Sequence, residues 1–463
     1  MTVAEATPDF EAGDRGDRAF LGHPKGLGFL AFTEAFERFS YYSMQSLLVL
    51  YMVKYLLLQG HVDRVALFGP FSSLYGGRTG QPLASAIFGT YTALVYLTPI
   101  FGGMLADRLL GRRLTITIGA CTMALGHFLM AFEQSFLFAL LCLILGNGCF
   151  KGNIASQVGG LYGPNDNRRA DAFQIFYIFI NASVIVAPLI AGTLGEKSGW
   201  HYGFGAAGVG MLIGLGIYLS STRHLPPDNF VRNRTGAARP RLERHDVPAV
   251  LALVLLIPVL AVGLLTNQEI FNAYLVWGDE QFDLTFLGFR VPTTWLISFD
   301  SAVSFGFLIL VVVFWRLWSE RFREPDELGK ILIGSVFTAG GGLCLFAAAA
   351  LQGPGEKIGL FWPVMFHVLN SIGFAHILPI TLALFAKVAP KAINATVIGL
   401  YYLAFFMGNA FVGWIGGLYS SLPTTTFWLI HVASAVGSGL AFLLFKIVLG
   451  HHLEKGEPAP LPD

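Results

Sequence analysis

Twelve apolar runs, each long enough to cross a lipid bilayer, set the strongest limit on how this chain can fold. An α-helix rises about 1.5 Å per residue, so about 20 apolar residues span the hydrocarbon core. Inside lipid every backbone N–H and C=O group needs an internal partner, which a helix supplies within one segment. Of the 463 residues, 54% are hydrophobic and 13% are charged, unlike most soluble proteins. We therefore expect an all-α membrane protein with twelve transmembrane helices, at residues 27–58, 83–105, 114–132, 136–161, 171–195, 200–222, 248–277, 295–318, 328–351, 360–389, 392–419 and 424–450.

Composition and spacing also argue against several classes of function. The net charge of +1 and the lack of a basic stripe predict no nucleic-acid partner. The four cysteines all lie in apolar runs without CxxC-type spacing, so we expect free thiols and no metal site. The sequence shows no nucleophile–base set and no phosphate-binding loop, so we expect neither an enzyme nor a bound cofactor.

A basic, proline-containing linker separates the first six runs from the last six. We expect an N-terminal six-helix bundle at residues 27–222, a linker at 223–247 and a C-terminal bundle at 248–450, with tails at 1–26 and 451–463. Residues 1–26 are polar and lack an apolar core, which favours a disordered tail over a cleaved signal peptide. Most of the 30 lysines and arginines lie in the tails, the linker and the loops on the same side, which predicts cytoplasmic termini.

The first apolar run contains three charged residues close together, Glu34, Glu37 and Arg38. A charge at the centre of a membrane helix costs about 3 kcal/mol on the lenient insertion scale. Spacings of three and four residues bring Glu34 beside both other groups on one helix face. The pattern favours a polar transport pathway, and its alternative is an internal salt bridge that only shapes the helix.

A glycine-rich and basic stretch, GGMLADRLLGRR at residues 102–113, begins at the end of the second run. It resembles the loop motif typical of the major facilitator superfamily. We expect its glycines to allow close helix approach, and Asp107 to cap a helix start and pair with the arginines. We assign a structural role to four of its residues: Gly103, Asp107, Arg108 and Arg112.

Three further motifs resemble those of the proton-dependent oligopeptide transporter (POT) family within that superfamily. Residues 34–42 match ExxERFxYY, residues 146–154 read GNGCFKGNI, like the lysine-bearing helix of that family, and residues 176–181 match FYxxIN. The resemblance covers almost the whole chain and is densest over residues 30–190. It implies a major facilitator fold of two six-helix bundles that imports small peptides with protons by alternating access.

The resemblance also implies a proton-coupling cluster of Glu34, Glu37, Arg38 and Lys151, because the family places this lysine beside the glutamates. A lone ammonium in an apolar run is kept charged at least cost by a carboxylate partner. Protonation of a glutamate would release Lys151 and let one bundle rock against the other. The alternative for Lys151 is snorkelling to the membrane interface.

The resemblance raises several polar and aromatic residues to candidate substrate contacts. Read without the family, each tyrosine is better explained as a packing or interface residue. Matching positions in the family line the peptide site at Tyr41, Tyr42, Tyr96 and Asn181.

Other candidate substrate positions depart from the family pattern. Gln45 occupies the place of an arginine that binds the peptide carboxylate, and Gln268 that of its glutamate partner, with Glu269 one residue on. Both partners of the family's ion pair are thus neutral amides, which can still hydrogen-bond to each other. Phe374 replaces a glutamate that grips the amine, and Tyr401 replaces a tryptophan.

Asp300 stands where the family has an asparagine, and we expect it to anchor the substrate amine. Its alternatives are a second proton site and a structural charge. Of the histidines inside the runs, which can relay protons, we expect His376 to serve in packing or in an interhelical hydrogen bond.

These features predict a proton-coupled symporter of atypical specificity in a bacterial-type inner membrane. Its expected partners are the lipid bilayer, protons and short peptides or peptide-like amine or amide compounds, and its expected state is a monomer. One alternative is a transporter of another metabolite, such as nitrate or a drug. A second is a transporter-like receptor that binds ligand without net flux.

Overall fold

A computed structural model describes residues 17–163, 166–226, 247–390 and 394–453. These residues form twelve long helical segments at the places of the twelve predicted runs. Two α-helices, the first and the fifth, end seven and eight residues early, and π-helical turns at Met52–Leu56, Pro188–Gly192 and Leu194–Ser198 continue them. The segments are α1 (Lys25–Tyr51), α2 (Gly80–Leu105), α3 (Arg112–Leu129), α4 (Phe136–Gly160), α5 (Arg168–Ala187), α6 (Trp200–Ser220), α7 (Val247–Gly263, Leu265–Glu269 and Ala273–Gln281), α8 (Trp295–Ser319), α9 (Glu327–Leu351), α10 (Phe361–Val388), α11 (Asn394–Gly416) and α12 (Thr424–Leu453).

Nine of the helices in the described residues are long and apolar enough to cross a membrane. The other three are α1, α3 and α7, and their sequences explain the difference. Helix α1 carries the three central charges, α3 begins with two arginines, and α7 is interrupted. The predicted all-α, multi-pass membrane protein is confirmed.

Helix α7 breaks after Glu269 rather than at Pro258, which lies inside its first piece. The Glu269 side chain accepts the hydrogen bond of the Ala273 N–H group through Oε1 (3.1 Å). Asn272, in a non-helical conformation, donates from its side-chain amide to the Val412 carbonyl (3.1 Å). Side chains thus replace helix hydrogen bonds at the break, which supports irregular backbone at membrane depth.

Two connections contain structure that the sequence did not predict. Between α1 and α2 lie a 3₁₀ turn at Val62–Arg64 and a short helix at Phe68–Ser73. Between α7 and α8, strands β1 (Thr285–Phe286) and β2 (Phe289–Arg290) pair in an antiparallel hairpin. The expected disordered tail is also wrong for residues 17–24, because Phe20 packs on Phe32 and Phe179.

The chain divides into two compact units. Unit 1 comprises residues 1–44, 98–195 and 199–235, and unit 2 comprises residues 45–97, 196–198 and 236–463. In unit 1, α3 packs against α4 and α6, while in unit 2, α10 packs against α8 and α9, and α7 against α11 and α12. The predicted domain boundaries stay a prediction, and most of the predicted linker lies outside the described residues.

The loop motif after α2 is a π-helical turn at Ala106–Leu110. Its Asp107 pairs with Arg112 (3.6 Å), as expected, but no side chain caps α3, whose N-cap is Gly111. The close helix contact belongs to Gly102, where a Cβ atom would lie 1.9 Å from the Gly148 carbonyl oxygen. Gly103 has open space, because successive helix positions differ by about 100° in direction.

In unit 2, α2 and α11 meet backbone to backbone. A Cβ atom on Gly89 would lie 2.3 Å from the Gly413 Cα and 2.7 Å from the Asn409 carbonyl oxygen. Gln81 donates to the Gly416 carbonyl (2.9 Å) nearby. Small residues at such contacts let membrane helices approach closely.

We expect Gly89→Ala to lower the thermal unfolding midpoint clearly, because the backbone atoms opposite it cannot move aside separately. Gly306→Ala on α8 is the matched control, since a Cβ atom there meets nothing within 4 Å. Alanine favours helix over glycine by about 1 kcal/mol, so the control should be neutral or slightly stabilising. Equal midpoints for the two variants would show that the α2–α11 contact adds nothing to stability.

Candidate proton and substrate sites

The three charged residues of α1 form a closed ion-pair cluster. The Arg38 Nε atom lies 2.8 Å from Glu34 Oε1, one helical turn earlier, and 2.8 Å from Glu37 Oε2. Exposed fractions are 3% for Glu34, 0% for Glu37 and 5% for Arg38. The guanidinium therefore donates a charge-assisted hydrogen bond to Glu34 and forms an ion pair with Glu37.

Helix α4 completes the cluster with a residue that the sequence did not single out. The Asn147 side-chain amide donates to Glu37 Oε1 (3.1 Å), so both Glu37 oxygens have a partner. Asn147 lies four residues before Lys151 on the same helix face. The signal that could have revealed it is a lone amide between two glycines in an apolar run.

Those two glycines fix the position of α4. A Cβ atom on Gly146 would lie 2.5 Å from Met123 Cγ of α3, and one on Gly148 would lie 2.7 Å from Thr98 Cβ of α2. The GNG sequence thus lets α4 pack tightly on both neighbours while Asn147 faces α1.

Lys151 lies in the same neighbourhood. Its Nζ atom is 6.0 Å from the centre of the Tyr41 ring, and the Arg38 Cζ atom is 5.7 Å from that centre. Both carboxylates act electrostatically on the ammonium. Two carboxylates and two cations give these four residues a formal net charge of zero, which lowers the cost of keeping them inside a membrane protein.

The aromatic candidates of unit 2 come together around one ring. The Phe405 ring stacks on Tyr96 (4.9 Å between ring centres) and lies against Tyr401 (5.7 Å). The Tyr401 hydroxyl donates to the Leu378 carbonyl (3.1 Å). Tyr96 remains half-buried and Tyr401 is buried.

A hydrogen bond between Gln45 and Gln268 is not seen in the described residues. Gln268 instead donates to Asn267 (3.3 Å), its neighbour in sequence, while Gln45 is buried. Matching side-chain chemistry at aligned positions made this bond possible, but it does not fix the direction of the two side chains.

The two acidic candidates of unit 2 each meet a histidine. Glu269 is fully buried, with Oε2 at 3.5 Å from His431 Nε2. Asp300 Oδ1 lies 2.8 Å from His367 Nδ1. Neither histidine was assigned to these acids, because more than 60 residues separate each pair in sequence.

The remaining candidates are less enclosed. Tyr42 is half-buried and lies against the Tyr41 ring, and Phe374 is half-buried. The Asn181 side chain donates to the Tyr177 carbonyl of its own helix (2.8 Å). His376 accepts a hydrogen bond from Trp315 Nε1 on α8 (3.1 Å), which confirms the expected interhelical bond.

Comparisons with known proteins agree with the fold. A family model described as POT family matches residues 113–236. The chain is 29% identical to the "Peptide transporter YePEPT" of Yersinia enterocolitica, over 87% of this chain and 89% of that protein. It is 28% identical to a "Di-/tripeptide transporter" of Lactococcus lactis, over 93% of this chain and 96% of that protein.

A solved structure shares the fold. It is a peptide transporter POT in complex with alafosfalin, with a TM-score of 0.84 and 24% identity over 97% of this chain and 100% of that one. Helix order, burial of charge and this likeness define a multi-pass membrane protein of the major facilitator fold. The chain is thus similar to the POT family over residues 113–236 and to named peptide transporters over most of its length.

Proposed function

We propose that this protein is a proton-coupled symporter that imports short peptides or peptide-like amine or amide compounds. The observation that carries the proposal is the buried Glu34–Glu37–Arg38 cluster, bonded to α4 beside Lys151. Relatives of the chain are named as peptide transporters, which supports the substrate class. The family consists of transporters, so an enzymatic activity is not part of the proposal.

Protonation of Glu37 provides the switch. A neutral Glu37 no longer forms an ion pair with Arg38, and its hydrogen bond from Asn147 is no longer charge-assisted. With Lys151 included, the cluster then changes from a formal net charge of zero to +1. An excess buried charge is costly, so the packing of α1 against α4 becomes less favourable and a second arrangement gains population.

The neutral residues Gln45 and Gln268 support an atypical specificity. With no cation at these positions, a free substrate carboxylate loses a charge-assisted partner, and the acids of unit 2 favour an amine or a cation over an anion. A POT family transporter of the same fold has been solved in complex with 5-aminolevulinic acid (TM-score 0.78, 22% identity over 93% of this chain and 97% of that one). That ligand belongs to the other protein, and it serves here as a probe.

The proposal places the protein in a bacterial-type inner membrane with both termini in the cytoplasm, on the basis of its lysine and arginine distribution. It acts as a monomer, because one chain supplies all twelve helices. It needs no cofactor and draws on the proton gradient.

The test is uptake into proteoliposomes under an inward proton gradient. The probes are labelled dialanine, trialanine, alafosfalin, 5-aminolevulinic acid and nitrate, with protein-free liposomes as control. Accumulation of a peptide or peptide-like probe that a protonophore abolishes supports the proposal. Accumulation of nitrate alone would favour the other-metabolite alternative, and binding without accumulation would favour a receptor.

The double variant Gln45→Arg with Gln268→Glu tests the specificity. We expect it to bind dialanine about tenfold more tightly, because a charge-assisted bond to the carboxylate contributes about 1.5–3 kcal/mol. Binding of alanyl-alanine amide, which lacks that carboxylate, is the control and should stay the same. Gln45→Arg alone should reduce folded yield by leaving an unpaired buried charge. An unchanged ratio of the two affinities would contradict the assigned role of Gln45.

A further inference from the structure

Unit 2 contains a hydrogen-bonded row of three buried side chains from three helices. Asp300 of α8 contacts His367 Nδ1 of α10 (2.8 Å), and His367 Nε2 contacts the Tyr274 hydroxyl of α7 (2.8 Å). Their exposed fractions are 7%, 0% and 0%. Both ring nitrogens of His367 are therefore occupied by partners that differ in charge.

Local packing brings the three residues together. Ser304 and Ser371 hydrogen-bond (2.9 Å) about one turn further along α8 and α10, which fixes the register of the two helices. Tyr274 is the second residue of the α7 piece that begins after the break. The break therefore decides where the Tyr274 hydroxyl points.

The surroundings of the row are aromatic. The centres of the Phe299 and Phe366 rings lie 5.6 and 5.0 Å from the centre of the His367 ring. The Trp428 and Tyr274 ring centres lie 6.3 Å apart. An ionised carboxylate in such a setting is costly unless a positive group pairs with it. A neutral imidazole gives Asp300 a hydrogen bond but no compensating charge.

Binding of one proton changes the net charge of the Asp300–His367 pair. It converts the pair from a formal net charge of −1 to zero, with the imidazolium Nδ1–H group donating to Asp300 Oδ1. A tyrosine hydroxyl both donates and accepts. Tyr274 donates to Nε2 when the imidazole is neutral, and accepts from Nε2–H when it is charged. The row is thus fully hydrogen-bonded in both protonation states.

Few other titratable groups face the pair. From α12, His431 faces Glu269 rather than Asp300, and the Trp428 ring separates it from Tyr274. His376, further along α10, bonds to Trp315. Beyond its first turn α9 carries one titratable side chain, Cys344. The tyrosines of α11 are 401 and 402, and the first of them bonds to the α10 backbone.

We propose that Asp300 and His367 form a second proton-binding site, with Tyr274 as a positioning residue, on helices that carry no residue of the Glu34–Glu37–Arg38 cluster. The site takes up one proton on the imidazole and gives it back without losing a hydrogen bond. Its use once per transport cycle rests on the proposed function, whereas its proton binding does not.

Proton uptake by the purified protein tests the site directly. On a step from mildly alkaline to acidic pH, followed with an indicator dye, Asp300→Asn and His367→Gln should each take up one proton fewer per chain than wild type. The matched control His376→Gln removes another buried histidine of α10. Its proton uptake should fall below that of wild type by less than one proton per chain. Thermal unfolding midpoints identify misfolded variants. Uptake equal to wild type in both pair variants would overturn the proposal.

Tyr274→Phe separates a proton site from a purely structural bond. This variant removes the hydroxyl that accepts from the charged imidazole, and hydrogen bonds to charged groups are the stronger ones. At one fixed acidic pH, the charged-histidine band, measured by infrared spectroscopy with ring-labelled histidine, should therefore be weaker in Tyr274→Phe than in wild type. Bands of equal intensity would contradict the positioning role.

The number of protons carried per substrate tests use in the cycle. In proteoliposomes with dialanine, the proton-to-peptide ratio from reversal potentials should fall by one in His367→Gln and stay constant in His376→Gln. An unchanged ratio in His367→Gln would exclude use in the cycle. If wild type does not carry dialanine, the proposed substrate class fails, while the uptake measurement still decides the site.

Discussion

Glu37→Gln is expected to abolish gradient-driven accumulation of substrate while leaving counterflow exchange intact. Glutamine keeps the size of the side chain and can still bond to Asn147, but it binds no proton at neutral pH. The cluster is then held permanently in the arrangement that a protonated Glu37 adopts. Both rates are measured in the same proteoliposomes, with accumulation under an inward proton gradient and exchange without one.

The matched control is Glu320→Gln, which makes the same chemical change at an exposed residue of the described chain. It should accumulate substrate like the wild type. Normal accumulation by Glu37→Gln would remove this residue from proton coupling. Loss of both accumulation and exchange would show that its charge is required for binding or folding.

Arg38→Met is expected to give the largest loss of stability of any single change in the cluster. It leaves two fully buried carboxylates without the guanidinium that both contact at 2.8 Å. Breaking a buried ion pair on one side costs about 3–5 kcal/mol, because the remaining charge is uncompensated. The measurement is the unfolding midpoint in detergent, together with the folded yield.

Arg316→Met on α8 is the control, because its side chain is exposed and the same change should have little effect there. A combined variant, Arg38→Met with Glu34→Gln and Glu37→Gln, should recover part of the lost stability, since no buried charge is then unpaired. If Arg38→Met unfolds at the wild-type midpoint, the cluster is not held together in the way the distances indicate.

Local periodicity made most of the fold predictable. Runs of about 20 apolar residues marked the helices, and the spacing of four residues correctly paired Glu34 with Arg38. The break in α7 was not predictable in this way, because its cause is a side chain. Glu269 takes the hydrogen bond of a backbone N–H group, and Asn272 bonds to another helix. The residue of α7 that signals a break in the sequence is Pro258, and it lies inside the first piece rather than at the break.

The same distinction, between contacts local in sequence and contacts that depend on side chains, separates the site residues that the sequence could reveal from those that it could not. The charged residues of α1 could be found because they are neighbours in one helix and are anomalous in lipid. The partners of Asp300 and Glu269 could not, since each contact joins helices that are distant in sequence and depends on side-chain direction. Asn147 is intermediate: its position in a glycine-flanked polar site was visible, but its bond to Glu37 was not.

The charge cluster on α1 has a consequence for biogenesis. During synthesis α1 leaves the ribosome before α4, so its two carboxylates and its guanidinium must enter the membrane before Asn147 and Lys151 exist. The Glu34–Arg38 and Glu37–Arg38 pairs are internal to α1 and can form at once. Helix α1 therefore enters the translocon with its charges already paired. The contact from Asn147 of α4 can form only after more than 100 further residues have been synthesised.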